Sequence, residues 1–455
     1  MSQARQNIAF VALTVAIGGF LLGFDANVIS GVVPFIREYF GLGGASGDLQ
    51  LGWAVSSLGW GAMAGNAIAG SLSDRYGRRR VLLGTAAIFV GSSLLAAFAT
   101  HFTSFVIARI LGGLAVGGAI LVAPMYIAEI SPAGKRGSLV SLNQLMIVIG
   151  ISAAFFSNYF LLGVGEHNWR WMLGVQILPA LLYFILLLFV PESPRWLLLK
   201  GRDAPALDVL VKVGGEAQAQ ASLKEIRQSL AAKQTSLGFR GLLDPRIRLV
   251  MLIALGLAFF QQITGINAIF YYLPTIFAQA GGAVDDAFRQ AVLVGLVNLA
   301  MTLVAIRLID RVGRKPLLVV GVGMMAASLL LISWAFNQPT VNAKLVLIAI
   351  MGFVAAFAIS LGPVMWVLLA EIFPNEQRGA AISVAGFFNA LVSATVTFIF
   401  PWWRTTLGSA GTFLTFGLFA LAALLFVLRF VPETKGRTLE ELERELMAPA
   451  KAGAA

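Results

Sequence analysis

Twelve long apolar segments, separated by short polar ones, constrain this chain more than any other feature of its sequence. They cover about residues 8–38, 49–73, 80–100, 103–130, 137–163, 169–190, 248–280, 288–309, 316–336, 342–372, 379–401 and 408–430. A helix needs roughly 20 such residues to cross the hydrocarbon core of a bilayer. The composition agrees, because 58% of the residues are hydrophobic and only 12% are charged. The sequence therefore predicts an all-α membrane protein with twelve transmembrane helices.

Three short motifs occur twice, which indicates an internal duplication. DRYGRR at 74–79 returns as DRVGRK at 310–315, EISPAGKRG at 129–137 as EIFPNEQRG at 371–379, and VPES at 190–193 as VPET at 431–434. Each spacing is close to half the chain, and six spans lie between the two copies. Both copies of a motif are therefore expected on the same side of the membrane, as in parallel six-helix repeats.

The repeat also predicts how the chain divides into parts. Between the two sets of spans lies one long hydrophilic stretch of mixed charge, too polar to cross a bilayer. We expect an N-terminal six-helix bundle over 1–190, a cytoplasmic linker with short helices over 191–247, a C-terminal six-helix bundle over 248–431, and a cytoplasmic C-terminal helix and tail over 432–455.

The basic residues are distributed unevenly across the predicted membrane. The formal net charge of +11 would suggest a nucleic-acid partner in a soluble protein. When the spans are threaded with the N-terminus inside, 27 of the 33 Lys and Arg residues fall on the inner side. This asymmetry is the positive-inside pattern of membrane proteins. We therefore expect a multi-pass protein of the cell (inner) membrane with both termini cytoplasmic, the lipid bilayer as its surroundings and no nucleic-acid partner.

The sequence lacks the motifs of several catalytic classes. It has no cysteine, which excludes disulfides, thiolate chemistry and cysteine-based metal sites. His101 and His167 lie near predicted outer loops without the spacing of metal ligands. No P-loop and no HExxH motif occurs. The sequence thus predicts no enzyme, no ATP-driven pump, no cofactor and no metal. A membrane enzyme would need polar groups at an inner or outer mouth, whereas here they cluster in mid-helix.

Charged residues of the duplicated motifs form a candidate gating network at the cytoplasmic face. Each DRxGR motif lies in a tight turn between the second and third helices of its half, where glycine permits the bend. Ordinary positive-inside charge is the simpler interpretation, but it requires no Asp or Gly at fixed spacing and no partner Glu. The candidate residues are Asp74, Arg75, Arg78, Glu129, Arg136, Glu192, Asp310, Arg311, Arg314, Glu371, Arg378 and Glu433. Such a network would favour the outward-facing state, so neutralising Arg78 or Glu192 is expected to shift the population inward.

These motifs resemble the signature set of a known transporter family. Two copies of DRxGR[RK], PESPRWLL at 191–198 and VPETKGRTLEEL at 431–442 are similar to those of the sugar porters of the major facilitator superfamily. The resemblance covers about residues 10–445. It implies the major facilitator fold and alternating-access transport of a monosaccharide by a protein that functions as a monomer.

Amide side chains inside the predicted seventh span are candidates for the sugar site. Gln261, Gln262 and Asn267 lie within seven residues of each other beside Gly265, which can loosen the helix. Amides both donate and accept hydrogen bonds, as sugar hydroxyls require, although an amide in a span can also simply join helices. By resemblance to the family's motifs, the sugar-binding residues are Gln144, Gln261, Gln262, Asn267, Asn298, Trp366 and Asn389.

Three further positions bear on which sugar is carried. Many sugar porters have Trp immediately after the residue that matches Asn389, whereas this chain has Ala390, which predicts a wider pocket. Ile151 and Phe270 resemble the apolar pocket residues of hexose carriers. The resemblance therefore favours a hexose, with room for fructose or a bulkier polyol.

Asp25 and Arg109 are charged residues in the middle of predicted spans. Charges inside a bilayer are costly, so they normally pair and mark a mechanism. Family resemblance places the two residues on adjacent first and fourth helices, with Asp25 as proton acceptor and Arg109 as its alternating partner. A permanent ion pair that only orders the first half is the alternative for these residues. For the whole protein, the alternatives are proton-independent facilitated diffusion of a sugar or polyol, and a non-transporting sugar sensor.

Overall fold

The computed structural model describes residues 2–132, 136–232, 241–242, 244–437 and 441–442, which are helical over most of their length and contain no strand. The expected all-α fold is confirmed. Arg136 begins a helix, but its side chain lies outside the described part of the chain, as do residues 443–455 of the predicted C-terminal tail.

Ten helices belong to the first part of the chain. Those that coincide with the predicted spans are α1 (Ser2–Tyr39), α2 (Gly44–Tyr76), α3 (Arg78–Ala97), α4 (Phe102–Ile130), α5 (Arg136–Leu161), α6 (Asn168–Gly174) and α7 (Ile177–Leu187). The predicted linker holds the short helices α8 (Pro194–Leu199), α9 (Asp203–Gly214) and α10 (Glu216–Ala232).

The second part of the chain begins with a 3₁₀ turn at Pro245–Ile247. Its helices are α11 (Arg248–Ile263), α12 (Ile266–Tyr271), α13 (Leu273–Gln279), α14 (Val284–Val312), α15 (Arg314–Phe336), α16 (Ala343–Ile359), α17 (Leu361–Ile372) and α18 (Asn375–Phe430). The first three helices divide one predicted span, as do α16 and α17.

Ten helical segments among the described residues are long and apolar enough to cross a membrane. Helix α2 lies over a predicted span without being one of them. Helix α18 covers two predicted spans, and its 56 residues would measure about 84 Å, far beyond a bilayer core of roughly 30 Å. Gly408, the first residue of the second of those spans, interrupts it with a φ of 69°. The count of twelve spans stays a prediction.

The helices group into two compact units. The first contains Met1–Gly43 and Trp53–Gln234, and the second contains Gly44–Gly52 and Thr235–Ala455. The first turns of α2 therefore group with the second unit and the rest of α2 with the first.

Close backbone contact between α1 and α5 fixes α1 in the first unit. A Cβ on Gly23 of α1 would lie 2.0 Å from the carbonyl oxygen of Ile147, and one on Gly150 of α5 would lie 2.1 Å from that of Phe20. Real side chains do not approach backbone so closely, so both positions require glycine. This contact determines where Asp25, two residues after Gly23, is held.

Large apolar side chains cover much of the outer surface. Phe160, Phe189 and Leu425 are all at least two-thirds exposed. Exposed apolar surface on this scale is unfavourable in water and suits contact with lipid. Together with the apolar helices, it shows a multi-pass membrane protein.

Candidate functional site

The seventh predicted span is interrupted next to its polar side chains. Between α11 and α12, Gly265 has a φ of 87°. This left-handed conformation is readily adopted by glycine and is unfavourable for other residues. The expectation that Gly265 loosens this helix is confirmed. The break leaves Gln261 and Gln262 in the last turn of α11 and Asn267 in the first turn of α12.

Four of the predicted sugar-site residues form one hydrogen-bonded cluster. Nε2 of Gln262 donates to Oε1 of Gln261 and to Oδ1 of Asn389, at 3.2 Å each. Nδ2 of Asn389 donates to Oε1 of Gln261 at 2.8 Å. Nδ2 of Asn267 donates to Oε1 of Gln262 at 2.9 Å and to Oγ of Ser393 at 2.7 Å. We call these five residues the amide cluster. The sequence did not identify Ser393, which lies one helical turn after Asn389.

The amide cluster joins four helices of the second unit, α11, α12, α17 and α18. Nε2 of Gln261 donates to the carbonyl oxygen of Leu361 at 2.8 Å, at the start of α17. Nδ2 of Asn389 on α18 donates to the carbonyl oxygen of Ala258 on α11 at 3.0 Å. Gln261, Gln262 and Asn389 are buried. Buried amides with these partners are positioned accurately, because each loses free energy if it moves out of hydrogen-bond range.

The amide cluster is electrically neutral. In the described part of the chain, no charged side chain is hydrogen-bonded to any of its members. Each carboxamide can donate and accept, and the Ser393 hydroxyl can do both. These groups can exchange their mutual bonds for bonds to the hydroxyls of an uncharged polyol. A charged ligand would find no counter-charge among them.

Three other predicted sugar-site residues lie outside these hydrogen bonds. Asn298 is buried on α14, and Trp366 on α17 is 43% exposed. Gln144 is exposed on α5 of the first unit. Among the described residues, no hydrogen bond links Asn298 or Trp366 to the amide cluster. An indole as exposed as that of Trp366 can offer a face for the C–H groups of a sugar ring.

Asp25 on α1 and Arg109 on α4 form a buried ion pair in the first unit. Nη1 of Arg109 lies 2.5 Å from Oδ1 of Asp25, and the two side chains are only 2% and 6% exposed, respectively. Nη1 and Nη2 also donate to the main-chain oxygen of Asp25, at 3.3 and 3.2 Å. The expected contact between the two residues is confirmed. Adding a proton to Asp25 would remove its charge and leave Arg109 without a counter-ion.

The first copy of the charged motif forms a compact cluster around Arg78. Nε and Nη2 of Arg78 donate to the two carboxylate oxygens of Glu129, at 2.9 Å each, which is the bidentate geometry of a strong pair. Asp74 lies 3.2 Å from Nη1. Glu192 accepts the backbone N–H of Arg78 at 2.9 Å. Gly77 has a φ of 99°, and a Cβ there would lie 2.3 Å from Glu192 Oε2, so the turn requires glycine.

The second copy repeats this arrangement within the second unit. Nη2 of Arg314 lies 2.8 Å from Glu371 and 3.1 Å from Asp310. Glu433 accepts the backbone N–H of Arg314 at 3.1 Å. Gly313 has a φ of 106°, and a Cβ there would lie 2.7 Å from Glu433 Oε2. Duplicated sequence has thus produced duplicated geometry.

Two hydroxyl groups complete these clusters. Oγ of Ser193 donates to Glu129 and Oγ1 of Thr434 to Glu371, at 2.5 Å each. Both follow the repeated Val-Pro-Glu sequence, so the signal was present in the repeat. Glu192 and Glu433 of this sequence were predicted to belong to the gating network, but the hydroxyls that follow them were not.

Four predicted gating residues lie outside these two clusters. Arg75 and Arg311 have exposed side chains. The guanidinium of Arg378 donates to the main-chain oxygen of Phe373, at 3.2 and 3.1 Å. The side chain of Arg136 belongs to the part of the chain that the structure does not describe.

Two further buried polar residues were missed by sequence analysis. Gln176, between α6 and α7, is 1% exposed. Asp48, in the part of α2 that groups with the second unit, is fully buried. A lone polar residue inside an apolar span is the signal that could have identified Gln176.

Comparison with known proteins places this arrangement in a family. Residues 11–446 match the family described as "Sugar (and other) transporter". The arabinose-proton symporter of Bacillus subtilis is 37% identical, with 96% of this chain and 94% of the relative covered. The glucose transporter GlcP of Staphylococcus epidermidis is 36% identical, with 97% and 98% covered.

A solved structure agrees with these sequence matches. The inward open conformation of the xylose transporter XylE from E. coli has a TM-score of 0.85 to this chain, with 36% sequence identity and 96% and 99% of the two chains covered. The fold, the duplicated motifs and these matches agree. The chain belongs to the sugar porter family of the major facilitator superfamily and is a membrane transporter of sugars, not an enzyme.

Proposed function

We propose that this protein carries a monosaccharide across the cytoplasmic membrane by alternating access, together with a proton that binds Asp25. The observation that carries the proposal is the ion pair between Asp25 and Arg109, 2.5 Å apart and almost fully buried. Such a pair is costly in the membrane unless it has a function or a strong structural role. Protonation releases Arg109 and thereby changes the relative free energies of the two transport states.

The relatives support both parts of this proposal. The relative from B. subtilis is named as an arabinose-proton symporter, and those from S. epidermidis and E. coli as glucose and xylose transporters. The neutral amide cluster offers groups suited to sugar hydroxyls. We propose that the amide cluster, Gln144, Asn298 and Trp366 contact the sugar.

The experiment that tests proton coupling compares Asp25→Asn with the wild type in proteoliposomes under an inward proton gradient. We expect the variant to lose uphill accumulation and to retain sugar counterflow, because counterflow needs no net proton movement. Asp208→Asn, at an exposed ion pair on α9, is the matched control. Undiminished accumulation in Asp25→Asn would refute the role of Asp25. If wild-type uptake does not depend on the proton gradient, the result would instead support proton-independent facilitated diffusion.

We propose a hexose ahead of a pentose. Ile151 and Phe270 resemble the apolar pocket residues of hexose carriers. Ala390 leaves more room in the pocket than the Trp that many sugar porters have at this position. Pentoses are the main competitors, since relatives are named for arabinose and xylose. Uptake of labelled glucose, fructose, galactose, xylose and inositol, each with and without a pH gradient, tests this directly. Preferential uptake of xylose would refute the hexose proposal, and no uptake of any of the five would refute the sugar-site assignment.

We also propose that the clusters around Arg78 and Arg314 control the cytoplasmic gate, with both termini on that side of the inner membrane. The strength of the Arg78 cluster supports this role, because its loss would change the stability of any state that needs it. The chain has no native cysteine, so one cysteine introduced at the cytoplasmic ends of the helices reports accessibility at that site alone. We expect Arg78→Ala to raise its labelling rate. An unchanged rate would contradict the gating role.

A further inference from the structure

A small cavity lies beside the buried ion pair of the first unit. Asp25, Arg109, Ser92, Ser93 and Gln176 supply its polar lining. It leaves about 10 Å³ for the centre of a solvent molecule, which is the room that one water needs. The polar lining matters because a buried water persists where it can make about three hydrogen bonds.

Two buried donors beside this cavity have no partner in the described structure. They are Nε2 of Gln176 and Nε of Arg109. Gln176 is 1% exposed and Arg109 2%, so bulk water does not satisfy them. A buried donor without a partner is unfavourable, because it has lost its hydrogen bonds to water. Both donors therefore indicate an acceptor that the described hydrogen bonds do not supply.

An unused acceptor lies at the same place. Arg109 binds Oδ1 of Asp25, whereas no described hydrogen bond reaches Oδ2. A Cβ on Gly112 would lie 2.9 Å from Oδ2 and 3.3 Å from Oγ of Ser92, so glycine keeps this space open. A water molecule can accept two hydrogen bonds and donate two. Here it would accept from the two unpaired donors, Nε2 of Gln176 and Nε of Arg109, and donate to Oδ2 of Asp25 and Oγ of Ser92.

The position of Gln176 follows from an interruption of the sixth predicted span. Helix α6 ends at Gly174 and α7 begins at Ile177, with Val175 and Gln176 between them. A single apolar helix was expected over this region. Instead, a polar residue lies at the interruption and faces the cavity rather than the lipid.

We propose that Gln176, together with Ser92, binds a single water molecule against Oδ2 of Asp25, and that this water sets the proton affinity of the carboxylate. The proposal rests on the proposed role of Asp25 as proton acceptor. The water donates a hydrogen bond to the charged form of Asp25, which stabilises that form relative to the protonated one. Gln176 is a positioning residue, because it acts on Asp25 through the water.

Few other groups can influence this proton site. Of the elements that line the cavity, α4 contributes the cation Arg109, α3 contributes Ser92 and Ser93, and α6 with its following turn contributes only Gln176 as a polar group. No second titratable side chain lines the cavity among the described residues. A change in the pH profile caused by a cavity variant can therefore be assigned to Asp25.

The test measures the pH at half-maximal proton-driven uptake in proteoliposomes. Gln176→Leu removes the donor, and Ser92→Thr keeps the hydroxyl but adds a methyl group that occupies the place of the water. We expect either variant to move the midpoint upward by about one pH unit, the effect of losing one hydrogen bond to a charged group. Counterflow at a fixed pH should change less than about twofold, because it does not depend on net proton uptake.

Ser157→Thr is the matched control. Its hydroxyl bonds to the carbonyl oxygen three residues earlier on α5, as that of Ser92 does on α3, but it does not line the cavity. A shift in Gln176→Leu and Ser92→Thr but not in Ser157→Thr supports the water site. If Gln176→Leu does not reach the membrane, Ser92→Thr carries the test alone.

Two outcomes overturn the inference. Wild-type midpoints in both cavity variants, or an equal shift in Ser157→Thr, would show that no water at this site controls Asp25. These outcomes differ from failure of the proposed function, which would appear as undiminished accumulation in Asp25→Asn measured in the same vesicles.

Discussion

Asn389 connects α18 to α11 through three hydrogen bonds. It donates to Ala258 and Gln261 and accepts from Gln262. Asn389→Ala would leave two buried acceptors and one donor without this partner, at about 1–3 kcal/mol for each group that stays unsatisfied. We expect the KM for sugar uptake to rise at least about tenfold, with Thr395→Ala, exposed on the same helix, as the control. Equal KM values in the two variants would remove Asn389 from the sugar site.

Glu433 makes the cytoplasmic cluster of the second unit sensitive to acid. Burial alone would raise the pKa of Glu433, but hydrogen bonds from backbone N–H groups, those of Lys435 and Arg314 among them, hold this pKa below its ordinary value. A lowered pKa means that the charged form stabilises the fold. That stability is present above the ordinary pKa of a free Glu, roughly 4.3, and is lost as the pH falls through the lowered folded-state value.

The expected result is a difference in the pH dependence of thermal stability. Wild-type protein in detergent should lose Tm as the pH falls from about 5 towards about 3, and Glu433→Gln should start lower and lose less over the same range. Glu225→Gln, exposed on α10, should retain the wild-type slope. Identical slopes in all three proteins would show that Glu433 does not contribute to acid sensitivity.

Among the helices, α2 and α4 approach each other through glycine. A Cβ on Gly117 of α4 would lie 2.0 Å from the carbonyl oxygen of Ala62 on α2, and the helix backbone cannot yield easily. We expect Gly117→Ala to destabilise the first unit by about 1–3 kcal/mol through overpacking, despite the higher helix propensity of alanine. Thermal unfolding in detergent measures this.

Gly84→Ala on α3 is the matched control for Gly117→Ala. A Cβ on Gly84 meets no atom within 4 Å, so only the gain in helix propensity remains, at most about 1 kcal/mol. The two substitutions should therefore change Tm in opposite directions. A Gly117→Ala protein as stable as Gly84→Ala would mean that the α2–α4 contact is not close in the membrane.

Sequence reasoning located the helices better than the interruptions in them. The break at Gly265 could be predicted because glycine beside polar residues in a span indicates one. The break at Ser360 could have been predicted from Pro363, which lacks the N–H that would bond to the residue four positions earlier. The interruption before Gln176 has helical backbone angles, but it could have been predicted in the same way, because Gly174 precedes it and Pro179 lacks the N–H that would bond to Val175.

The same limit applies to the candidate site. Gln261, Gln262, Asn267 and Asn389 could be selected because amides are rare in apolar spans. Ser393 could not, since a serine in a helix can bond to its own backbone and needs no distant partner. Which of these amides touch each other depends on how α11, α12 and α18 pack, and residue type alone does not determine that.

At the scale of the whole molecule, the duplication allows one arrangement to be compared with its copy. Arg78 and Glu129 are 5% and 9% exposed and share two hydrogen bonds, whereas Arg314 and Glu371 are 12% and 25% exposed and share one. Removing one partner of a buried pair leaves the other charge uncompensated, which costs about 3–5 kcal/mol when burial is complete. Water near Glu371 reduces that cost in the second unit.

We therefore expect Arg78→Ala to lower the stability of the detergent-solubilised protein by about 3 kcal/mol or more, and Arg314→Ala by roughly half as much. Double variants provide the control, because Arg78→Ala with Glu129→Ala removes both charges and should recover part of the loss. Equal losses in the two single variants would mean that the exposure of the pair does not determine its strength. If the prediction holds, the first unit, which contains the proposed proton site, depends more on its cytoplasmic ion pair than the second unit, which contains the amide cluster.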